Sequence, residues 1–299
     1  MAVQNNLVKS EQQRLSFNNF MLRDAARDQI NKMLGKDGQK FITAIVSAVN
    51  SNAELQKCTN ESILSAAMLG AGLKLSPSPQ LGNYYMVPFN DKNKGMVAQF
   101  ILGYKGYIQL AIRSGEYRKL NVLAVKEGEL IRFNPLEEDI EIVLIEDEEQ
   151  REQTPTAGYY AFFELNNGYR KAIYWSRKKM EQHALKYSAG YKGDVNRGTK
   201  YTFWSKDFDG MAYKTMLRQL ISKWGIMSIE MQSAIDADMA VINEDGTKNY
   251  VEFDDETAID TEAQVVEPET APAPTPAEKP KAAKKQEAPA EDPAAALFG

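Results

Sequence analysis

Tyr84-Tyr85-Met86-Val87-Pro88-Phe89 and Met96-Val97-Ala98-Gln99-Phe100-Ile101-Leu102 flank the polar stretch Asn90-Asp91-Lys92-Asn93-Lys94-Gly95. Two apolar, β-favouring runs around a turn whose glycine suits positive φ predict a β-hairpin with a basic tip. Gly103-Tyr104-Lys105-Gly106-Tyr107-Ile108-Gln109-Leu110-Ala111-Ile112-Arg113-Ser114-Gly115 follows directly. It reads as a short helix that Gly115 stops at the C′ position. Tyr107, Ile108, Leu110, Ala111 and Ile112 form the expected apolar face, while Lys105, Gln109 and Arg113 fall four apart and form one polar stripe. Hairpin followed by helix implies an α+β architecture, a small antiparallel sheet packed against helices.

Before this segment, apolar periodicity predicts helices over residues 17–34, 38–50 and 60–73, with Gly35, Gly38 and Gly72 as stops. Ser76-Pro77-Ser78-Pro79 then breaks helical structure. After it, strand-like runs occupy 117–126, 129–133 and 140–145. A second hairpin pairs 158–165 with 169–175 across Asn166-Asn167-Gly168. Ser176 reads as the N-cap of a helix from Arg177 to Tyr187. A Gly-rich loop then leads to a long helix over about 206–224.

The chain has 299 residues and a net charge of −5, which at face value argues against a nucleic-acid partner. The mean hides an uneven distribution. Residues 252–299 hold twelve acids against four lysines, a net of −8. Taking these from the totals of 36 basic and 41 acidic residues leaves 32 against 29 in residues 1–251, a balance of +3. Residues 137–152 hold nine acids against Arg151 alone, so the rest of that body is strongly basic. The last 48 residues also contain seven of the twelve prolines and only two aromatics, Phe253 and Phe298. Such a composition cannot bury enough apolar surface to offset chain entropy. The expected organisation is a flexible N-terminus over 1–16, a folded body over 17–253 and a disordered acidic Pro/Ala-rich tail over 254–299.

One cysteine, Cys58, and one histidine, His183, leave no pairing for a disulfide, a Cys-His nucleophile or a zinc cluster. No apolar run approaches the roughly 20 residues that span a bilayer, and Met1–Arg14 has no secretory pattern, so a cytoplasmic protein is expected. A GxxxxGK[ST] sequence is absent. Asp207 and Asp209, two apart on a helix, would point to different faces and make a poor two-metal nuclease site. The acidic run 146–149 reads as a solvated loop.

Residues 177–223 hold eleven Lys or Arg against four acids, with Tyr187, Tyr191, Tyr201, Phe203, Trp204, Phe208 and Tyr213 among them. Cations neutralise phosphates and aromatic faces stack on unpaired bases, so this mixture suits a sequence-tolerant single-strand groove. Lys206, Lys214, Arg218 and Lys223 lie on the long helix, with Tyr213, Leu217, Leu220 and Trp224 as its apolar stripe. Any one of these lysines reads equally as part of a solvated face. Gly103-Tyr104-Lys105-Gly106 matches the GxxG loop of KH domains, which clamps a nucleic-acid backbone; a plain strand-to-helix turn explains it as well.

Leu81-Gly82-Asn83-Tyr84-Tyr85-Met86-Val87-Pro88-Phe89, then Gln99 through Gly115, then Asp209-Gly210-Met211-Ala212-Tyr213-Lys214-Thr215-Met216-Leu217-Arg218 on to Lys223-Trp224-Gly225-Ile226, resemble the RecT family of phage single-strand annealing proteins. The resemblance runs from about residue 20 to 240. It implies a recombinase that uses no ATP and performs no covalent step. Such a protein coats single-stranded DNA, pairs it with a complementary strand to give annealed duplex, and assembles into homo-oligomeric rings or helical filaments. It also implies a fold related to the Red beta annealing protein and work beside a phage exonuclease. Host single-strand binding protein is a further expected partner. Mg²⁺ is expected to promote annealing without being a required cofactor. Lys105, Gln109, Arg113, Lys214 and Arg218 match the family pattern as backbone contacts. Lys192, Arg197, Lys200, Tyr201 and Trp204 rest more on composition, and Lys92 and Lys94 on their place at the hairpin tip. A metal-dependent nuclease and a KH-like RNA-binding module are the alternatives.

Overall fold

The computed structural model describes residues 16–91, 94–243 and 245–250. The acidic tail, and the N-terminal segment up to residue 15, lie outside the described residues. The first predicted helix divides in two. Ser16 caps α1 (Phe17–Met21), accepting from the Asn19 amide, and Phe17 and Met21 are buried. Arg23 is extended and starts α2 (Asp24–Leu34) in a new direction, because Ala26 and Ile30 must reach the same core from another side. Gly35, at φ +52°, ends α2. The helices α3 (Gly38–Asn50) and α4 (Asn60–Gly72) follow; Gly38 opens α3 rather than ending a helix.

The predicted hairpin forms as β1 (Tyr84–Asp91) and β2 (Gly95–Leu102), antiparallel, with Tyr84 opposite Leu102 and Asp91 opposite Gly95. Helix α5 (Tyr104–Ser114) ends at Gly115, which sits at φ +73°. The chain continues through β3 (Tyr117–Lys126), β4 (Leu130–Asn134), β5 (Asp139–Ile142), α6 (Glu148–Gln153), β6 (Thr156–Leu165) and β7 (Arg170–Ser176). Next come α7 (Arg177–Tyr187), α8 (Ala189–Arg197), α9 (Phe203–Lys206), α10 (Phe208–Trp224), α11 (Ile229–Ala237), β8 (Ala240–Ile242) and β9 (Lys248–Tyr250). The strands form three sheets, ordered β1-β2-β8-β9, β3-β6-β7 and β4-β5. The α+β class with small antiparallel sheets on helices is as the sequence predicts.

Three expectations change. The acidic run is no loop: Asp147 caps α6 through the Gln150 amide at 2.8 Å. Arg151 on that helix reaches Glu129, a fully buried carboxylate, and the Ala124 carbonyl at 2.8 Å, which clips the acidic segment to β3. The Gly-rich loop after α7 folds largely into α8 and α9, and the long helix starts at Phe208. The third is the C-terminal part of the body, where α11, β8 and β9 extend the first sheet beyond what periodicity showed.

Two main apolar clusters flank α10. Leu217 and Ile221 join the core built from α1 to α5, β1, β2, α11 and β8. Ala212, Met216 and Leu220 join a second core with Tyr159, Phe163, Met180, Ala184 and Trp204. A helix buried on two sides keeps only a narrow polar arc. Among the described residues, no helix is long and apolar enough to cross a membrane.

Candidate nucleic-acid interface

The start of α5 sits against the turn that precedes β1. The Gly103 amide donates to the Asn83 carbonyl at 2.9 Å. A Cβ on Gly103 would lie 2.1 Å from the Gly82 oxygen, and one on Gly106 would lie 2.1 Å from the Asn83 oxygen. Both glycines of the GxxG stretch are therefore accounted for by close backbone packing, a strand-to-helix turn. The polar stripe is real: Lys105, Gln109 and Arg113 are all exposed. Ile112, which periodicity places on the apolar face, is 61% exposed. Arg113 donates to the Leu73 carbonyl at 2.6 Å and to that of Lys74 at 3.3 Å, closing the C-terminal end of α4. The Lys105 ammonium lies 6.0 Å from the Tyr104 ring centre, and no described acid is within ion-pair distance of it.

An aromatic seam surrounds that lysine. Tyr85 meets Phe203 of α9 at 5.5 Å between ring centres, and Tyr104 meets Tyr213 of α10 at 5.6 Å. Burial first, and then the charge of Asp207, raise the hydroxyl pKa values of Tyr85 and Tyr104. Both phenols are thus neutral at physiological pH.

The second basic element is organised by a residue that the sequence reading passed over. Asp194, on α8, is 1% exposed. Its carboxylate accepts from the Thr199 hydroxyl at 2.7 Å, the Tyr201 amide at 3.1 Å, the Thr202 amide and hydroxyl at 2.8 Å each, and the Ser205 hydroxyl at 2.6 Å. Burial alone would raise its pKa, but the bonds from Ser205, Thr202 and Thr199 outweigh that and hold it well below the usual carboxylate range. The segment from 198 to 205 is fixed by this one side chain, with Lys200 and Tyr201 exposed along it and Arg197 exposed at the end of α8. Hydroxyl residues at 199, 202 and 205, three apart after an aspartate, are the signal that could have revealed the staple. Lys192 and Lys206 are exposed on α8 and α9.

Trp204 and Lys214 are not at the surface. Trp204 is 7% exposed and packs 5.0 Å from Phe208 and 6.1 Å from Tyr191. Lys214 is 7% exposed, its ammonium 2.7 Å from Asp238 Oδ1, and the half-buried Arg218 donates to Oδ2 at 2.6 Å. The same carboxylate accepts from the Leu102 amide at 3.0 Å. Burial pulls the Lys214 pKa below its ordinary value, with Asp238 opposing that shift. Lys223 is exposed beside Trp224, whose ring also carries Lys171 at 4.4 Å. Lys94 hydrogen-bonds Asn243 across the sheet; Lys92 lies outside the described residues.

The candidate catalytic aspartates are engaged elsewhere. Asp207 caps α10 through the Gly210 amide at 2.9 Å. Asp209 accepts from the Tyr159 hydroxyl at 2.5 Å and pairs with Arg177 at 3.4 Å. Among the described residues, no group of three or more His, Cys, Asp and Glu side chains is placed to hold a metal ion.

Exposed cations beside aromatic rings are the chemistry by which proteins hold nucleic-acid strands. The comparisons make that class of protein specific. The model described as the RecT family matches residues 39–256. The chain is 39% identical over 261 residues, 85% of this chain and 83% of the relative, to the uncharacterized protein YqaK of Bacillus subtilis strain 168. It is 30% identical over 224 residues, 73% of this chain and 78% of the relative, to Protein RecT of Escherichia coli strain K12. The protein belongs to the RecT family, and its role is that of a recombination and annealing protein.

Proposed function

We propose that this protein binds single-stranded DNA along the surface carrying Lys105, Arg197, Lys200 and Tyr201, and anneals it to a complementary strand without ATP. In this reading the cations grip phosphates, and the bases of the held strand stay open for sampling. Watson-Crick pairing supplies sequence specificity, so no covalent step is needed. Homo-oligomeric rings or filaments extend the surface from subunit to subunit. A phage exonuclease would supply resected ends and host single-strand binding protein would be displaced, all in the bacterial cytoplasm, with Mg²⁺ promoting annealing.

The observation that carries this proposal is the exposure of Lys105, Arg197 and Lys200 with no described acid at ion-pair distance, Lys105 beside the Tyr104 ring and Lys200 next to the exposed Tyr201. Exposed cations without an acid partner are free to neutralise phosphates. The test mixes complementary labelled strands with the protein and Mg²⁺, without ATP. Full-length duplex and large assemblies on DNA in electron micrographs are expected. Shortened strands would establish a nuclease instead, and a preference for RNA by a discrete monomer would establish the KH-like module.

A further inference from the structure

The end of β7 and the rim of α7 carry a ladder of rings and cations that neither the GxxG segment nor the loop after α8 accounts for. Trp175 is the next-to-last residue of β7, and Ser176 caps α7 by accepting from the Lys179 amide at 3.3 Å. Met180 and Ala184 bury the inner face of the helix in the second core. Lys179 and Lys186 are exposed, His183 is half-buried at the edge of that inner face, and Tyr187 follows it one turn on, at the end of the helix. The His183 ring centre lies 5.3 Å from that of Trp175 and 4.6 Å from that of Tyr187. The Lys179 ammonium lies 4.5 Å from the Trp175 ring centre and that of Lys186 lies 5.1 Å from the Tyr187 ring centre. Tyr187 is 60% exposed.

Three features of this face point to one ligand chemistry. Trp175 packs on one side against the second core and His183 is half-buried, but the ring of Tyr187 leaves most of its apolar area in solvent. Lys179 and Lys186 have no described acid within ion-pair distance, and the acid of this helix, Glu181, is turned to Arg177 at 3.3 Å. Burial first, and then the charge of Lys186, lower the His183 pKa, so at neutral pH the imidazole is an uncharged plate within the ladder and not a third cation. Flat π-faces flanked by cations suit an unpaired base with phosphates on either side. A duplex, whose bases are already stacked and paired, offers this face only its backbone.

We infer that Trp175, His183 and Tyr187, flanked by Lys179 and Lys186, form a base-stacking subsite for unpaired nucleotides, with Tyr187 as its outermost plate. The inference rests on the single-strand binding proposed above and adds to it a contact that reads bases rather than phosphates. The test compares the affinity of the full-length protein for a short thymidine oligonucleotide and for an abasic strand of equal length, by fluorescence anisotropy. Tyr187→Ala is expected to weaken binding of the thymidine strand about 5- to 150-fold and to leave the abasic strand within about two-fold. Tyr187→Phe, which keeps the ring, is expected to restore the thymidine affinity. Because Tyr187 is largely exposed, circular dichroism of both variants should match the unsubstituted protein. Loss by the same factor on both strands, or on neither, overturns the stacking subsite while leaving strand binding in place. An unsubstituted protein that binds neither strand overturns both proposals.

Discussion

The ammonium of Lys214 lies 2.7 Å from the carboxylate of Asp238, and both side chains are buried. The pair ties α10 to the short connection between α11 and β8, so the last part of the body is fastened to its central helix by charge. Removing the carboxylate would leave Lys214 buried without an anion, Arg218 without its partner and the Leu102 amide without an acceptor. Asp238→Ala should therefore cost about 3–5 kcal/mol of stability, seen as a lower urea midpoint. Lys214→Met should cost less, because Arg218 and Leu102 still satisfy the carboxylate. Equal losses in the two variants would show that the cluster is not what fastens the segment.

Asp194 should make stability depend on pH. Its pKa in the folded protein lies below its unfolded value of about 3.9. A depressed carboxylate stabilises fully above the unfolded pKa, and that stabilisation is lost as pH falls toward the folded one. Urea midpoints should be level in this respect from about pH 7 to 5 and fall below about pH 4. Asp194→Asn should be less stable at neutral pH and show a shallower acid slope. An unchanged slope would mean that the staple does not titrate as its hydrogen bonds require.

Gly106→Ala would place a methyl group 2.1 Å from the Asn83 carbonyl oxygen. The obstacle is backbone, so α5 must shift relative to the turn before β1. A loss of at least about 1–3 kcal/mol is expected, measured by thermal unfolding. Wild-type stability in this variant would return the GxxG glycines to a purely ligand-binding role.

Salt dependence tests the electrostatic part of strand binding. Neutralising about four to six phosphates gives a slope of log K against log salt near −3 to −4 for single strands. Lys105→Ala combined with Lys200→Ala should flatten that slope by about 1.4, at roughly 0.7 for each lost phosphate contact. Both residues are exposed and make no described ion pair, so the fold should persist. A slope near zero in the unsubstituted protein would remove the phosphate grip altogether.

Much of this architecture is legible in the chain itself, where local chemistry decides. The pairing of β1 with β2, the stop at Gly115, the Asn166-Asn167-Gly168 connection and the cap at Ser176 are each set by a few neighbouring residues, and each appears where the sequence places it. The exposed stripe of Lys105, Gln109 and Arg113 is legible for the same reason, since a helix of known start and stop fixes which residues share a face. The segment from 188 to 205 is not. Its glycines read as loop, but the staple of Asp194 and the burial of Trp204 against Phe208 and Tyr191 hold α8 and α9 in place.

Lys214 and Arg218 mark the boundary between the two kinds of information. Periodicity establishes that they share a face of α10, and composition establishes that the face is cationic. What meets that face depends on a carboxylate 24 residues beyond Lys214, brought there by α11 and β8. Spacing along a helix determines which side chains travel together. Whether they meet water, a phosphate or a buried aspartate is decided by packing between distant segments, because the energy of a charge depends on everything around it.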